Sequence, residues 1–445
     1  MEVTLAQMLE AREARAFRQI QLIREFGKPI ISFSMNIPGP IKDSPLIRRG
    51  FRSGRDALEH RLPKGKVLRI ETKEGITGCE AIYVVDSEPL AVKAITTAIE
   101  DDHPLGRLFD MDVIGADLCK LDREAVGGGG RNCIVCGAPG RGCASRRVHS
   151  VAELQSATKG ILEGWFREKD AIYIGNWAAQ SLLDEVCTTP KPGLVDRRNS
   201  GSHQDMDIFT FMASAAALQG YFTACARAGM ESGCTPAETF QKLRKLGLRA
   251  EQDMYIATNG INTHKGAIFT IGILCGAAGR LWKSEGTWNE SEIFPEVAEM
   301  TREAMEADFR KTGDTVGYRL YTQKGIRGIR GQVAAGLPAV AELGLPTYRR
   351  CMDKGMGKNA AGVHTLLNLI ANVEDTNMIS RGGMEGAKAG AEKCADLLAS
   401  GYTLSQVEAL DDWFIERNLS PGGCADLLAA VYFIDNLINR GDIYD

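Results

Sequence analysis

The chain has 445 residues, a formal net charge of -4 and a pI near 6.0. This length suits two domains better than one core, and the balanced charge argues against a nucleic-acid partner. The N-terminus lacks the apolar core of a signal peptide, and the longest apolar run, residues 267–278, is too short to span a bilayer. We therefore expect a cytoplasmic protein with no membrane partner, whose twelve cysteines stay reduced.

The pattern of residues predicts a multidomain protein: a mixed α/β (α+β) domain over 1–168, then an all-α domain over 169–445. Residues 4–26 carry apolar side chains at helical spacing among many charges. Four β-prone runs follow, at 29–33, 66–70, 81–85 and 107–114. Residues 127–147 indicate a loop rich in Gly, Cys and Arg. Beyond about 170 only helical periodicity remains, so we place the boundary within 165–172.

A polar cluster at 199–207 precedes an apolar run that predicts a helix. If Ser202 caps this helix, Asp205 and Asp207 fall in its first two turns, and His203 shares a face with Asp207. Two carboxylates and an imidazole in such a place suit Mg²⁺, which takes one or two carboxylates together with substrate phosphates. The alternative is simple helix capping, which explains one carboxylate well and two with a histidine poorly.

The turn just before this cluster and three further clusters in the same half carry groups that bind phosphate or accept protons. A rigid turn over 189–196 supplies a lysine and an aspartate, and an Asn-Thr-His-Lys-Gly run at 262–266 precedes a second apolar helix. Downstream lie an arginine between glycines and an Asp-Thr-Asn segment followed by Arg-Gly-Gly. The candidate residues are Lys191, Asp196, Asn262, His264, Lys265, Arg330, Asp375, Asn377 and Arg381.

Together these motifs resemble triphosphoribosyl-dephospho-CoA synthase, from about Ile174 to the end of the chain. The run Ser-Pro-Gly-Gly-Cys-Ala-Asp-Leu-Leu-Ala at 420–429 also matches. Two positions depart from the family pattern: Gln332 stands where a glutamate is usual, and Cys424 where a serine is usual. The resemblance therefore does not assign Gln332 a catalytic role.

The resemblance implies that the 2'-hydroxyl of 3'-dephospho-CoA attacks the ribose C1 of ATP, so that adenine leaves and the triphosphate is retained. In this scheme Asp205 and Asp207 hold Mg²⁺, and Lys191 with other cations neutralises the triphosphate. A carboxylate takes the hydroxyl proton, with Asp196 and Asp375 as the alternatives. The histidines, His203 or His264, position phosphate or protonate adenine.

In the N-terminal half, alternation along 107–114 predicts a strand with Asp110 and Asp112 on one face, about 6–7 Å apart in Cα position. Two carboxylates at this spacing can share a metal ion such as Mg²⁺; the alternative is a solvated strand face. Arg107 flanks the pair, and a rigid Asn-Ile-Pro-Gly-Pro turn carries Asn36 with Lys42 nearby. These residues are candidate phosphate ligands.

The loop at 127–147 contains a spacing that suits a tetrahedral zinc ion: Cys133, Cys136, Cys143 and, beyond it, His149. The six-residue gap before Cys143 is unusual, and several arginines lie close by. The alternative is a set of reduced thiols that support a basic phosphate-binding loop.

This half resembles apo-citrate lyase phosphoribosyl-dephospho-CoA transferase, over roughly residues 10–160. The matching pieces are 36–42, 106–113 and the cysteine segment 133–149. The resemblance implies that a serine of the acyl carrier protein, the gamma subunit of citrate lyase, attacks the α-phosphoryl group and releases pyrophosphate. Asp110 and Asp112 would hold Mg²⁺ while Arg107 and Lys42 grip phosphates.

The two resemblances support each other, because the product of the second domain is the substrate of the first. A single chain raises the local concentration of that intermediate if the sites can face each other. The preferred hypothesis is a bifunctional transferase that uses ATP and 3'-dephospho-CoA. The alternative is a metal-dependent ribosyl-nucleotide hydrolase fused to a zinc-stabilised module that binds the carrier protein.

Overall fold

A computed structural model describes residues 2–310 and 316–440. The described chain divides into two compact units between Phe166 and Arg167. The first contains a small antiparallel sheet with helices, and in its described residues the second is helical. The expected order, mixed α and β followed by helices, is confirmed.

In its described residues the first unit has five strands and four α-helices before the long helix that leads into the second unit. These are α1 (Leu5–Phe26), β1 (Ile30–Met35), α2 (Pro45–Arg61), β2 (Val67–Lys73), β3 (Glu80–Val85), α3 (Pro89–Asp102), β4 (Phe109–Ile114), β5 (Lys120–Leu121) and α4 (Gly140–Arg146). The sheet order is β2-β3-β1-β4-β5, and every pairing is antiparallel. The predicted amphipathic helix and all four predicted strands are confirmed.

Strand β4 shows the predicted alternation, because Phe109, Met111 and Val113 are fully buried while the side chains between them are not. Asp110 and Asp112 therefore share the outer face, where they pair in register with Ser34 and Ser32 of β1.

On the inner face of this sheet, three aromatic rings pack together. Phe33 stacks on Phe51 of α2 at 4.9 Å and meets Phe109 edge-on at 5.4 Å. Gly54 permits this contact, since a Cβ there would lie 2.4 Å from the Phe33 ring. The aromatic contacts thus fix α2 against the sheet.

The cysteine-rich segment is less irregular than predicted. An isolated bridge joins Asn132 to Pro139, and the short helix α4 follows it.

The stretch 165–172, where the sequence predicts the boundary, is helical. One helix, α5 (Val151–Cys187), runs through it without interruption.

The helices of the second unit surround an extensive apolar core. After α5 they are α6 (Ile208–Met230), α7 (Pro236–Ala257), α8 (Lys265–Arg280), α9 (Glu290–Arg310), α10 (Val316–Lys324), α11 (Gly328–Ala334), α12 (Leu345–Asp353), α13 (Lys358–Asn372), α14 (Thr376–Ser400), α15 (Leu404–Glu416) and α16 (Gly422–Arg440). A π-helical turn at Ala339–Gly344 precedes α12. Both apolar runs that predicted helices, in α6 and α8, are confirmed.

Helices α6 and α8 approach each other so closely that their contact admits only glycine. A Cβ on Gly279 of α8 would lie 2.1 Å from the carbonyl oxygen of Ala226, and one on Gly229 of α6 would lie 2.1 Å from that of Gly276. These contacts join the C-terminal ends of the two helices, and their starts also meet, since His264 Nδ1 lies 2.7 Å from Ser214 Oγ. The two predicted polar clusters therefore lie near each other.

The sequence-based expectation that no segment has the length and hydropathy of a membrane span needs correction at α6. This 23-residue helix reaches a mean hydropathy of 1.3 over 18 residues. Leu218 and Phe222 on its inner face are fully buried in the core. A core helix of this kind passes the same test, so α6 is weak support for a membrane span.

The close approach of α6 and α8 predicts that Gly279→Ala destabilises the protein by about 1–3 kcal/mol, because the new methyl group overlaps a backbone oxygen. Gly220→Ala is the matched control, since a Cβ at that α6 position meets nothing within 4 Å and alanine favours a helix by about 1 kcal/mol. Urea unfolding measures both. Equal midpoints for Gly279→Ala and the unchanged protein would contradict the packing described.

Candidate functional site

A cavity of about 960 Å³ opens within the helical unit. Its walls bring together residues from every cluster that the sequence singled out in this half. Those that line it as predicted are Lys191, His203, Asn262, His264, Lys265, Asp375, Asn377 and Arg381. A cavity of this size, with polar groups converging on it, is the usual form of a small-molecule site.

The floor of the cavity contains a buried ion pair. The Lys191 ammonium donates a hydrogen bond to the Glu185 carboxylate near the end of α5. Lys191 is 1% exposed and Glu185 is 4% exposed. Burial raises the pKa of Glu185, and the lysine beside it opposes that change. Such a pair holds its position firmly, because separating the partners leaves a charge without solvation.

Asp196 organises the turn that carries Lys191. One carboxylate oxygen accepts hydrogen bonds from Thr189 Oγ1 and the Lys191 amide, and the other accepts from the amides of Arg198 and Asn199, at 2.6–3.1 Å. The side chain is buried and is not part of the cavity lining. This corrects its sequence-based assignment as a base, because both oxygens are already satisfied within the loop.

The expected magnesium pair does not form at the start of α6. The helix begins at Ile208, so His203 and Asp207 do not share a helical face, and Asp207 rather than Ser202 is the N-cap. Its carboxylate accepts from Thr210 N at 2.9 Å and Thr210 Oγ1 at 2.8 Å. Asp205 is exposed, and neither aspartate lines the cavity. Capping therefore explains Asp207, and these two carboxylates do not fit a shared Mg²⁺.

His203 and Arg381 form a fixed polar group at the cavity wall. Arg381 donates to the Ser202 carbonyl at 2.6 Å, to Asn418 Oδ1 at 2.7 Å and to His203 Nε2 at 3.2 Å. A guanidinium can only donate, so Nε2 accepts and Nδ1 carries the proton. Burial, with Arg381 nearby, lowers the pKa of His203, which keeps the ring neutral.

His264, at the N-cap of α8, is 3% exposed and also lines the cavity. Burial lowers its pKa to about 3, so the ring is neutral. Its Nδ1 lies 2.7 Å from Ser214 Oγ, which already accepts from Thr263 Oγ1. This hydrogen bond satisfies Nδ1. No partner for this buried Nε2 occurs among the described residues.

Lys265 is the first residue of α8 and is half-exposed, with its ammonium 2.8 Å from the Glu251 carboxylate.

Arg330 differs from the prediction, since it is exposed and lies outside the cavity lining. Arg327, one helical turn earlier, lines the cavity instead, with its guanidinium carbon 5.1 Å from the Phe309 ring centroid. Gln332 is also in the wall, but its side-chain oxygen accepts the Ala339 amide at 3.1 Å.

Asp375 caps α14 and accepts three backbone amides. Asn377 and Met378 donate to Oδ1 at 2.7 and 3.0 Å, and Cys424 donates to Oδ2 at 2.8 Å. Burial nevertheless raises the pKa of this carboxyl. Cys424 itself is fully buried, so the departure from serine at this position changes the core rather than the cavity surface.

Four charged side chains in the cavity wall are absent from the sequence-based set: Glu185, Arg327, Glu374 and Asp426. Asp426 lay inside the terminal run that carried the family resemblance, which is the signal that could have found it. Glu185 sits in an ordinary amphipathic helix. Only the packing of α5 against the 189–196 turn brings it to the cavity.

A smaller cavity, of about 150 Å³, lies in the first unit between α1 and the sheet. Of the predicted residues, Asn36, Lys42 and Asp110 line it. Two cations of α1 that the sequence analysis did not select, Arg12 and Arg15, line it as well. Three cations therefore line this cavity with two carboxyls, Asp110 and Glu80, of which Glu80 pairs with Arg15 at 2.7 Å. The excess of cations favours an anionic ligand.

Asp110 faces this cavity, and loss of hydration together with neighbouring Asp112 raises its pKa. Asp112 is outside the lining and pairs with Lys120 at 2.6 Å. Arg107 also lies outside, with its guanidinium bonded to the Asn132 carbonyl. The predicted pair is thus one carboxylate open to the cavity and one neutralised by a lysine.

The four predicted zinc ligands converge. The ligand atoms of Cys133, Cys136, Cys143 and His149 all lie within 4.8 Å of one another. Cys136 Sγ is 3.5 Å from Cys143 Sγ and 3.2 Å from His149 Nε2. A tetrahedral zinc ion places such atoms about 3.3–3.8 Å apart. The donor set and its spacing fit zinc.

Comparison with known families matches both halves of the chain. Residues 171–443 match the family described as ATP:dephospho-CoA triphosphoribosyl transferase. Residues 3–165 match apo-citrate lyase phosphoribosyl-dephospho-CoA transferase.

Relatives match over the whole chain or over the helical half. Protein CitXG of Leuconostoc mesenteroides subsp. cremoris is 34% identical, with 98% of this chain and 97% of that protein covered. Protein CitXG of Haemophilus influenzae is 32% identical, with 97% and 96% covered. The 2-(5''-triphosphoribosyl)-3'-dephosphocoenzyme-A synthase of Pectobacterium atrosepticum is 37% identical over 63% of this chain and 95% of its own. The chain therefore belongs to the family of fused CitXG proteins and is a bifunctional transferase of citrate lyase prosthetic-group biosynthesis.

Proposed function

We propose that each compact unit is a separate catalytic domain, with the helical unit acting first. It joins ATP and 3'-dephospho-CoA into 2'-(5''-triphosphoribosyl)-3'-dephospho-CoA and releases adenine. The first unit then transfers this group to a serine of the apo acyl carrier protein, the gamma subunit of citrate lyase, and releases pyrophosphate. The free cysteines are consistent with a cytoplasmic location.

The observation that carries the first reaction is the meeting of four sequence clusters around one cavity. Lys265, Arg327 and Arg381 supply positive charge in its wall, and α8 and α14 begin there. Helix N-termini and arginines are the usual ligands of phosphate oxygens. We assign the triphosphate to this part of the wall, and the reacting ribose to the deeper part near His264.

Magnesium enters this proposal as a companion of the phosphates. In the helical unit Asp205 and Asp207 lie apart from the cavity, and no group of three or more His, Cys, Asp or Glu ligand atoms converges there among the described residues. In the first unit, Asp110 opens into a cavity with three cations and suits one carboxylate contact to a hydrated Mg²⁺. A bound Mg²⁺ would neutralise phosphate charge in either site.

For the second reaction we assign phosphate binding to Arg12, Arg15 and Lys42. Burial, with Arg12 nearby, lowers the pKa of Lys42, whose ammonium also donates to the Ile37 carbonyl. Asn36 lies beside them as a neutral donor. The nucleophile belongs to the carrier protein, so this unit needs no activated serine of its own.

The purified protein, incubated with ATP, 3'-dephospho-CoA and Mg²⁺, is expected to release adenine in equal amount to an adduct that retains the triphosphate. Chromatography with mass detection measures both. Addition of apo carrier protein should then release pyrophosphate and increase the carrier mass by the attached group. Adenine without adduct would favour a hydrolase, and no adenine would contradict the proposal.

The buried ion pair predicts a separable effect on stability and on activity. Lys191→Met leaves Glu185 buried without a partner, so we expect a loss of about 3–5 kcal/mol in the free energy of unfolding. Adding Glu185→Gln removes the stranded charge and should restore most of that loss. The KM for ATP should change less than about threefold in the double variant, because the pair is removed without a change in net charge and the triphosphate is assigned to the outer cations. A KM for ATP raised tenfold or more would contradict that assignment and indicate that the phosphates bind at the floor.

Zinc is proposed as a structural ion of the cysteine-rich segment. The isolated protein should contain one zinc per chain by elemental analysis, and Cys136→Ser should lower that content and the thermal stability. Cys119→Ser is the matched control, because Cys119 is an exposed thiol outside the cluster. Equal zinc in both variants would contradict the site.

A further inference from the structure

Asp426, in the first turns of α16, contributes a carboxyl to the cavity wall that the reactions above do not yet use. It lies against the start of α8, where the Ala267 amide donates to it. Its Oδ2 occupies the space of a side chain at position 266, since a Cβ on Gly266 would lie 1.8 Å away. The glycine of the Asn-Thr-His-Lys-Gly motif thus makes room for this carboxyl.

Charges around this carboxyl do not balance. Among the described residues four carboxyl groups line the cavity. Glu374 is exposed, whereas the other three, those of Glu185, Asp375 and Asp426, share the wall with one buried ammonium, Lys191, which pairs with Glu185. Ionising all three in a poorly hydrated site is unfavourable, so at least one retains a proton.

The partners of each carboxyl indicate where that proton resides. Glu185 has the lysine, and Asp375 has three amide donors. Asp426 has the Ala267 amide and two carboxyl neighbours. Burial, then Glu185 and Asp375, raises its pKa well above the usual value for an aspartate.

A second feature indicates that the deep part of the cavity, near His264, binds a ligand. His264 Nε2 is buried, its ring lines the same wall, and the atom lacks a hydrogen-bond partner among the described residues. A buried polar atom without a partner is unfavourable by about 1–3 kcal/mol unless a bound molecule completes its hydrogen bond. A nucleotide ribose or purine offers both donors and acceptors.

We propose that Asp426 is the general acid that protonates the departing adenine. The inference rests on the proposed synthase reaction of the helical unit. As the bond from ribose C1 to adenine N9 breaks, its electron pair moves into the purine, and the Asp426 proton goes to a ring nitrogen. The 2'-hydroxyl oxygen of 3'-dephospho-CoA forms the new bond to C1. The proton that it releases restores the Asp426 carboxyl, so the enzyme is unchanged.

The other titratable groups that face the cavity suit this role less well. His203 and His264 both have lowered pKa values and are neutral, so neither stores a proton to transfer. Lys191 is held by Glu185.

The test compares Asp426→Asn with the unchanged protein in the adenine-release assay. The amide has nearly the same size but transfers no proton, so kcat should fall about 10²–10⁴-fold, with the KM for ATP changed less than about threefold. Asp253→Asn, at an exposed site on α7, is the matched control and should leave both constants unchanged. Unaltered kcat in Asp426→Asn would overturn the proposal.

A second substrate separates acid catalysis from a structural role. ATP methylated at adenine N7 carries its positive charge in advance, so its purine leaves without protonation. Asp426→Asn should turn over this analogue within about threefold of the unchanged protein. An equal deficit with both substrates would show a structural role and refute the assignment.

If Asp426→Asn fails to fold, Gly266→Ala provides the same comparison, because its methyl group displaces the carboxyl without removing it. The unchanged protein is the reference that separates failure of this inference from failure of the proposed function. If it releases no adenine from ATP, the synthase reaction itself fails; if it does, the variants report on Asp426 alone.

Discussion

The buried contact between Lys191 and Glu185 is the interaction on which the helical unit's site depends. A charged pair with exposures of 1% and 4% is tolerable only when both partners are held in place. The lysine is fixed because Asp196 gathers the amides of its own turn. The same loop continues to His203, which Arg381 of α14 holds from the other side. One electrostatic constraint thus links α5, the 189–207 loop and α14 around a single cavity.

Charge in this cavity is distributed by depth. Lys265 and Arg327 are exposed, whereas Glu185, Lys191 and Asp375 are buried. The outer cations suit a triphosphate, whose own charge can remain partly hydrated. The inner group holds more carboxyls than ammonium ions, and in our proposal a proton on Asp426 balances the excess. This division suits a reaction in which phosphates anchor the substrate while a neutral base leaves.

Much of this architecture is predictable from the sequence, and the failures have definite physical causes. Alternation along β4 identified its buried face, and the apolar runs identified α6 and α8, because each pattern follows directly from the geometry of one element. Asp207 was misjudged since a cap and a metal ligand present the same residue type at a helix start. Arg330 and Arg327 lie one turn apart, and sequence alone does not show which one faces inward. Glu185 depends on contacts between distant segments, which local patterns do not contain.

The most direct test of the account is a crystal structure of the protein with ATP bound in the absence of the second substrate. The account predicts the triphosphate at Arg381 and the start of α8, with ribose C1 and the adenine beside His264 and Asp426. The unpaired His264 Nε2 should then have a hydrogen-bond partner from the nucleotide. ATP bound away from this cavity, or bound with its adenine directed to solvent and its phosphates at the floor, would contradict it.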